Sequence, residues 1–356
     1  MPAKGKKVGQ FAVCGIAAFF SFALSCMVIR TVLPRQIIPD LSRKLDWLTT
    51  HQADYDTLFI GSSHVFMQIN PKTFDTEMAR RGTPTHSYNL GLGGMGALER
   101  DYVIDTVARR CPHLHLRLAV IELEPSFVKF PEAFRHSIRE EHWHDFRRTT
   151  ELCGEIVAYM VDRIKNAKTN GWNQAMELLP DLGDHSTLFL RRFANVGEMT
   201  LRLQPPPKEK TKPKVLRETE MDERGFAPID RVIPDAEYAT FRKNYEQRGR
   251  DLTGFPPLDP GTEHMLAVIR GMGAAPCFFI SPNSQGTHPA LLENAAENQV
   301  LVVRYDDREK YPQFYEQDHR SDDLHLNKVA DEDFSRMLAS DVTASIKLPA
   351  TTPKSP

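Results

Sequence analysis

The sequence predicts an α/β protein with a parallel β-sheet, a mainly helical insertion and one transmembrane helix in front. Short apolar runs that end in turn signals alternate with helical patterns, as expected when crossover connections build a parallel sheet. A long charged stretch interrupts this alternation, and a 19-residue run without charge lies near the N-terminus. At 356 residues and 41% hydrophobic, the chain is large enough to bury a substantial core.

The uncharged run extends from Phe11 to Ile29. As a helix it would span about 30 Å, the thickness of the hydrocarbon core of a membrane. No clean cleavage site follows it, so we expect an uncleaved anchor over 1–35 rather than a signal peptide. Three lysines precede the run and two arginines follow it, a small bias that favours the N-terminus inside. We therefore expect a single-pass protein of the inner (cytoplasmic) membrane, with its main domain on the periplasmic or extracytoplasmic side.

The rest of the chain contains five strand signals, each a short apolar run bounded by turn residues. These runs lie at 57–60, 87–90, 116–123, 276–280 and 299–305. Helical patterns separate or follow them, at 41–53, 97–110, 263–272 and 328–341. Such an alternation predicts parallel pairing with right-handed crossovers.

The alternation stops over 131–255, where the residues are charged, helix-prone and interrupted by prolines. We expect this stretch to be an insertion, either a separate domain or a helical layer that covers the sheet. The sheet domain would then comprise 50–130 and 256–347. The last residues, 348–356, are predicted to be a disordered tail.

Composition argues against several classes of function. The net charge is −2 without a sustained basic stripe, so no nucleic-acid partner is expected. Five cysteines without a CxxC pattern predict neither a disulfide framework nor a zinc site. Three histidines, His136, His142 and His144, lie in a charged, helix-prone stretch and predict a solvated surface rather than a metal site. No metal and no cofactor are expected.

The first motif that could carry chemistry is Gly61-Ser62-Ser63-His64, directly after the first strand. Open parallel sheets present ligands at the carboxyl ends of their strands. A serine there can expose its hydroxyl, while N–H groups of the following helix point at a developing negative charge. The same residues also form ordinary turns and helix caps, so this motif needs partners elsewhere in the chain.

The second motif follows the second strand and contains Gly91, Gly93, Gly94 and Gly96. Glycines let a backbone approach a ligand closely, although they also serve a tight connection between strand and helix. The spacing does not match a dinucleotide-binding fingerprint, and no Walker-type lysine follows. Nucleotide binding is therefore the least favoured of the functions considered.

The third motif places Asp322 and His325 three residues apart at the start of the last predicted helix. One turn would bring them together, so the carboxylate could orient the imidazole and stabilise its charged form. Asp323 is adjacent and less well spaced for this role. With Ser63, the pair would complete a nucleophile and its base.

The three motifs together resemble the SGNH/GDSL hydrolase superfamily in order and in spacing. The similarity covers about 55–130 and 262–345. It implies a three-layer, flavodoxin-like arrangement of helices around the parallel sheet. By this resemblance Ser63 is the nucleophile, His325 the base and Asp322 the residue that orients it. The N–H groups of Ser63 and Gly94 would belong to the oxyanion hole.

The chain departs from the family at its third block, Gly-x-Asn-Asp, whose asparagine donates to the oxyanion. Here the third strand runs into Glu122-Leu123-Glu124-Pro125-Ser126 without an asparagine. Asn283, after the next strand, is a candidate substitute donor, with an ordinary turn residue as the alternative. The layout without asparagine and with an N-terminal anchor is similar to that of envelope proteins that handle acyl groups on polysaccharides and teichoic acids.

These observations predict a serine-dependent esterase or O-acyltransferase that works through an acyl-enzyme. Its substrate would be an ester-linked acyl group of a cell-envelope glycan or a related compound, and a membrane-bound acyl-donor protein would be a partner. The alternative is a non-catalytic SGNH-like module that binds glycan or organises an envelope acylation system. The missing asparagine and the large insertion favour that alternative.

Overall fold

A computed structural model describes most of the chain, namely residues 3–32, 38–123, 138–166, 171–194, 222, 224–247, 261–282, 289–346 and 348. Contacts divide the chain into two compact units. One comprises Met1–Ile38 and Lys129–Lys212, and the other comprises Pro39–Val128 and Pro213–Pro356. The second unit contains the sheet and all the residues that the sequence assigns to the site.

The sheet has five strands, all parallel, in the order β2-β1-β3-β4-β5. They are β1 (Thr57–Ile60), β2 (Ser87–Asn89), β3 (Leu118–Glu122), β4 (Ala275–Ile280) and β5 (Leu301–Arg304). The α/β class and the parallel sheet are thus confirmed, and each strand lies within two residues of its predicted bounds. In this order the direction of winding reverses between β1 and β3, which is where open α/β sheets bind ligands.

Helices occupy most of the remaining described chain. In chain order they are α1 (Ala3–Val32), α2 (Pro39–Thr50), α3 (Ser63–Gln68), α4 (Pro71–Arg80), α5 (Ala97–Arg110), α6 (Ile138–Glu141), α7 (Phe146–Asn166), α8 (Gly171–Met176), α9 (Leu179–Ala194), α10 (Asp235–Gln247), α11 (Thr262–Gly271), α12 (Pro289–Glu297) and α13 (Lys328–Ser345). Short 3₁₀ turns occur at Gln52–Asp54, Pro312–Tyr315 and Gln317–His319.

Helices of the sheet unit form two packed groups. In one group α13 packs on α3 and α4, and in the other α5 packs on α2 and α11. Strands β1 and β3 are buried at every position, as expected of continuous apolar strands covered on both faces. Large buried side chains of the sheet and of the first group share one core with Phe314 of a 3₁₀ turn, among them Phe59, Phe74, Phe279 and Phe334.

The helical unit corrects the prediction made for its histidines. His144 is fully buried rather than solvated, and its Nε2 lies 3.0 Å from Nδ1 of His185. Burial lowers the pKa of His144 to about 4 and that of His185 to about 3, so both imidazoles are neutral at neutral pH. His144 lies in the turn between α6 and α7, and a charged local sequence does not reveal that this turn packs against His185 of α9. His136 lies outside the described residues.

The predicted insertion is divided between the two units. Residues 224–247, which the sequence assigns to the insertion, belong to the unit of the sheet. Asn89 N–H at the end of β2 donates to Arg224 O (2.9 Å), and Ile233 N–H donates to Arg320 O (2.8 Å). We call 224–233 the strap. Its composition suggests a loop, but its backbone groups pair with the edge of the sheet unit, which local sequence does not encode.

The N-terminal helix α1 covers the run predicted to cross a membrane. Within the part of the chain that the structure describes, however, no helix is both long and apolar enough to do so. The predicted transmembrane helix is therefore unsupported. Of the predicted tail, only Leu348 is among the described residues.

Candidate active site

The turn that carries Ser63 joins β1 to α3. Ser62 caps the helix by accepting the N–H of His64 on its Oγ (3.2 Å), which leaves Ser63 as the first helical residue. The turn requires glycine at position 61, because a Cβ there would lie 2.6 Å from Cβ of Glu122. Close packing against the end of β3 thus explains the Gly-Ser-Ser sequence at this point.

Three of the predicted site residues form one hydrogen-bonded chain. Nε2 of His325 lies 2.7 Å from Oγ of Ser63. Nδ1 of the same ring lies 2.9 and 3.0 Å from the two carboxylate oxygens of Asp322. An ionised carboxylate has no proton to donate and can only accept hydrogen bonds. Nδ1 of His325 therefore carries the proton, and Nε2 accepts a hydrogen bond from the hydroxyl of Ser63. The structure therefore brings together a hydroxyl, an imidazole and a carboxylate from positions 262 residues apart.

The loop before α13 holds the carboxylate in place. Oδ1 of Asp322 accepts the backbone N–H groups of Leu324 and His325, each at 2.8 Å. Ser321 N–H donates to His325 O across the same loop (3.0 Å). Burial alone would raise the pKa of Asp322, but the hydrogen bonds from His325 and Leu324, and the charge that His325 carries when protonated, outweigh it and lower the pKa to about 2. Asp322, rather than the adjacent Asp323, is thus the ionised partner of the imidazole.

Two further side chains fix the ends of this loop. The buried guanidinium of Arg320 donates to Asp322 O (3.1 Å) and to Phe314 O (3.2 Å), and it lies 4.2 Å from the ring centroid of Phe241. Asn327 caps α13 by accepting two N–H groups of its first turn at 3.1 and 3.2 Å. Neither residue was assigned a role from the sequence.

The glycine loop after β2 lies against the turn of the nucleophile. Leu92 N–H donates to Gly61 O (3.0 Å). The side chain of Asn89 accepts Gly91 N–H (2.9 Å) and donates to two carbonyl oxygens of the α3 segment (2.7 and 3.0 Å). Gly94, two residues beyond Leu92, has φ of +67°, a conformation that favours glycine. Its role in an oxyanion hole stays a prediction, as does that of Asn283, which lies outside the described residues.

Lys44 on α2 supports the same loop and was not predicted. Its Nζ donates to the carbonyl oxygens of Asn89 (3.0 Å), Gly91 (2.6 Å) and Gly225 (2.7 Å). It is fully buried and lies 4.0 Å from the ring centroid of Phe66. Burial holds the pKa of Lys44 well below its usual range. In an amphipathic helix a lysine predicts a solvated face, so the sequence carried no signal for this contact.

A second buried carboxylate–imidazole pair adjoins the nucleophile. Nδ1–H of His64 donates to Oε1 of Glu122 (2.6 Å), and Ser62 N–H donates to Oε2 (2.6 Å). Burial alone would raise the pKa of Glu122, but the charge and hydrogen bond of His64 and the bonds from Ser62 keep it below its usual value. The ring centroids of His64 and His325 are 5.5 Å apart. A charged residue at the end of an apolar strand was the signal that could have revealed Glu122.

No protein-family model matches the chain. A search of curated proteins finds no match either. The chemistry assigned to the site therefore rests on the geometry of Ser63, His325 and Asp322, and on their place at the carboxyl edge of the sheet.

Among the residues that the structure describes, two other groups of side chains have the composition of metal sites. In each group, potential ligand atoms lie within 4.8 Å of one another. The groups are Asp101, Asp105 and His264, and Glu316, Asp318 and His319. In the first, Nδ1 of His264 is already bonded to Asp101 (2.7 Å), so the two side chains satisfy each other without an ion.

Proposed function

We propose that this protein is a serine-dependent esterase or O-acyltransferase with an SGNH-like fold. The observation that carries the proposal is the hydrogen-bonded chain from Ser63 through His325 to Asp322. A hydroxyl whose proton faces a neutral imidazole, itself oriented by a carboxylate, is the arrangement that activates serine for attack on an ester. The residues come from two distant motifs, so their juxtaposition is a property of the tertiary structure.

In the first half of the proposed reaction, Oγ of Ser63 attacks the ester carbonyl while its proton moves to Nε2 of His325. A bond forms between Oγ and the carbonyl carbon, and the carbonyl oxygen becomes negatively charged. Asp322 stabilises the imidazolium that results. When the intermediate collapses, the bond to the alcohol breaks, and His325 gives its proton to the departing oxygen. An acyl-enzyme on Ser63 remains.

In the second half, water or a sugar hydroxyl attacks the acyl-enzyme, and His325 takes the proton of the attacking group. Collapse then returns that proton to Ser63. The N–H of Ser63 is one of the donors that a helix leaves without an acceptor within the helix, so it is suited to bind the oxyanion. Gly94 would add a second donor from the glycine loop.

The SGNH-like assignment is supported by the strand order, by a nucleophile after β1 and by a His–Asp pair before the last helix. The cell-envelope setting rests on the sequence, through the uncharged run at 11–29 and the layout of the motifs. We accordingly propose an acylated envelope glycan as substrate and a membrane-bound acyl-donor protein as partner.

Labelling by a fluorophosphonate probe tests the nucleophile. Wild-type protein is expected to gain one phosphonyl group at Ser63, detected by peptide mass spectrometry, and Ser63→Ala is expected to gain none. The matched control is Ser62→Ala, the adjacent serine, which loses a helix cap worth about 1 kcal/mol but keeps the nucleophile. Equal labelling of wild type and Ser63→Ala would remove the assignment.

A second measurement separates hydrolysis from transfer. Wild type is incubated with an acetyl ester of a nitrophenol, with and without an oligosaccharide acceptor, and the sugar is analysed by mass spectrometry. Acetylated sugar indicates transfer, whereas free acetate alone indicates an esterase. If wild type neither turns over the ester nor reacts with the probe, while still binding the oligosaccharide, the non-catalytic module is the better description.

A further inference from the structure

Both neighbours of the nucleophile are held by a single buried carboxylate. Oε2 of Glu122 accepts the backbone N–H of Ser62, and Oε1 accepts Nδ1–H of His64. Each of these bonds is 2.6 Å long, and the carboxylate is 2% exposed. Ser63 stands between the two residues that the carboxylate binds. Charge-assisted bonds of this kind are stronger than neutral ones and restrict geometry more tightly.

The position of Glu122 in the sheet explains why it reaches the turn. It is the last residue of β3, which pairs with β1 through Ile121 and Ile60. Gly61 leaves its side of the turn without a Cβ, and the side chain of Glu122 occupies the adjoining space. Strand end and turn are thus packed so closely that the carboxylate accepts the N–H of Ser62 directly.

Stability alone is a weak reason for a carboxylate here. A buried ion pair contributes little net stability, because desolvation offsets the attraction, and apolar residues of similar volume often serve as well. The sheet is already joined at this point by backbone pairing, and α3 is already capped by Ser62. What the carboxylate adds is a fixed orientation for the two residues beside the nucleophile.

We propose that Glu122 is a positioning residue that fixes the backbone of 62–64 and so keeps Oγ of Ser63 within hydrogen-bonding distance of Nε2 of His325. The inference rests on the proposed function of Ser63 and assigns to that reaction a residue outside the hydroxyl–imidazole–carboxylate chain. A displacement of about 1 Å at a reacting atom can lower a rate by about 10²-fold, so support of this kind has a measurable effect.

Three substitutions of Glu122 separate geometry from charge. Glu122→Gln keeps the length and an oxygen for Ser62 N–H, and its amide can donate to Nδ1 of the other His64 tautomer. Glu122→Asp keeps the charge but is one methylene shorter, so it cannot span both bonds. Glu122→Ala removes both. The control is Glu77→Ala, which removes a carboxylate that binds Arg80 and Arg81 at the end of α4.

The measurement is the second-order rate of fluorophosphonate labelling at Ser63, together with kcat and KM for an activated ester. Glu122→Gln is expected to stay within about fivefold of wild type, whereas Glu122→Asp and Glu122→Ala should label about 10²-fold more slowly. The loss should appear in kcat, with KM changed little, because Glu122 positions the nucleophile and does not bind substrate. Thermal unfolding checks that each variant is folded.

The outcomes decide between distinct readings. Wild-type labelling rates in Glu122→Ala or Glu122→Asp would overturn the inference and leave Ser63 as nucleophile. A glutamine variant that is labelled more slowly than the aspartate variant would show that charge, not geometry, is needed, and would also overturn the inference. If Glu122→Ala does not fold, the order of the Gln and Asp variants still decides. If wild type is not labelled at all, the proposed function fails and this inference fails with it.

Discussion

At the scale of single residues, Asp322 and Asp323 show how one position decides a role. The two carboxylates are adjacent in the sequence, and either could have been the partner of His325. In the structure Asp322 binds both the imidazole and two backbone N–H groups of its own loop. These bonds keep the pKa of Asp322 at about 2, so the carboxylate stays ionised through neutral and mildly acidic pH.

Substitution of Asp322 by asparagine is expected to lower kcat for an activated ester by about 10²–10⁴-fold, because an amide neither stabilises the imidazolium nor holds the required tautomer. Asp323→Asn is the matched control and should leave kcat within about threefold of wild type. The measurement is steady-state kinetics near pH 7.5 on variants shown to be folded. Equal losses in the two variants would contradict the assignment of Asp322.

At the scale of elements, α13 contains an unusual buried acid. Asp331 lies one turn after the Asn327 cap and is fully buried. Among the described residues, neither of its carboxylate oxygens has a hydrogen-bond partner. Burial, together with the charge of Glu332, raises the pKa of Asp331 to about 8. The helix therefore forms with this carboxyl protonated at neutral pH.

A pH dependence of stability follows from that buried acid. Below about pH 4 the carboxyl is protonated in both the folded and the unfolded chain, and above that pH only the folded chain keeps the proton. Stability is therefore lost as the pH rises from about 4 to about 8. At pH 8 the unfolding free energy of Asp331→Asn should exceed that of wild type by several kcal/mol, because each unit of pKa shift corresponds to ~1.4 kcal/mol. Near pH 4 the two proteins should differ little in unfolding free energy.

Urea unfolding at several pH values measures this effect. The control on the same helix is Asp333→Asn, because Asp333 is half exposed and pairs with Arg336 at the surface. That change should alter the unfolding free energy by less than about 0.5 kcal/mol at any pH. A pH-independent difference between wild type and Asp331→Asn would exclude the titration of Asp331 as its cause.

At the scale of the whole molecule, Lys44 joins three parts of the sheet unit. Its ammonium group links α2 to the glycine loop after β2 and to the strap at Gly225. Gly225 has φ of +80°, which favours glycine there. The strap in turn contacts the loop of His325, since Arg231 Nε donates to Ser321 O (2.8 Å). Both loops that flank Ser63 are thus supported by segments far away in the chain.

Lys44→Met should remove the hydrogen bonds from Lys44 to the glycine loop and the strap while leaving the side-chain volume nearly unchanged. Three buried carbonyl oxygens would lose their donor, so the unfolding free energy is expected to fall by roughly 2–4 kcal/mol. Lys72→Met is the control, because Lys72 is mostly exposed and lies 3.9 Å from Asp222 in a surface ion pair worth less than about 1 kcal/mol. Chemical denaturation of both variants makes the comparison, and equal losses would argue against a special role for Lys44.

Local patterns were sufficient to predict the sheet. Continuous apolar runs and turn signals located all five strands, because burial on both faces of a parallel sheet leaves a strong local mark. Helix α4 was missed although Asn70 and Pro71 are a typical cap and first residue. The resemblance carried by the three motifs also paired Ser63 with His325 as nucleophile and base, and the structure brings these two side chains together.

Tertiary structure decided the contacts that local pattern cannot encode. Three of these contacts depend on neighbours that are distant in the chain. Such neighbours decide whether Lys44 is solvated or buried and whether Glu122 faces solvent or His64. They also decide whether 224–233 belongs to the insertion or to the sheet unit. A charge in the sequence indicates exposure by default, because an unpaired buried charge is costly. Only the folded chain supplies the carbonyls, the N–H group and the imidazole that make these burials favourable.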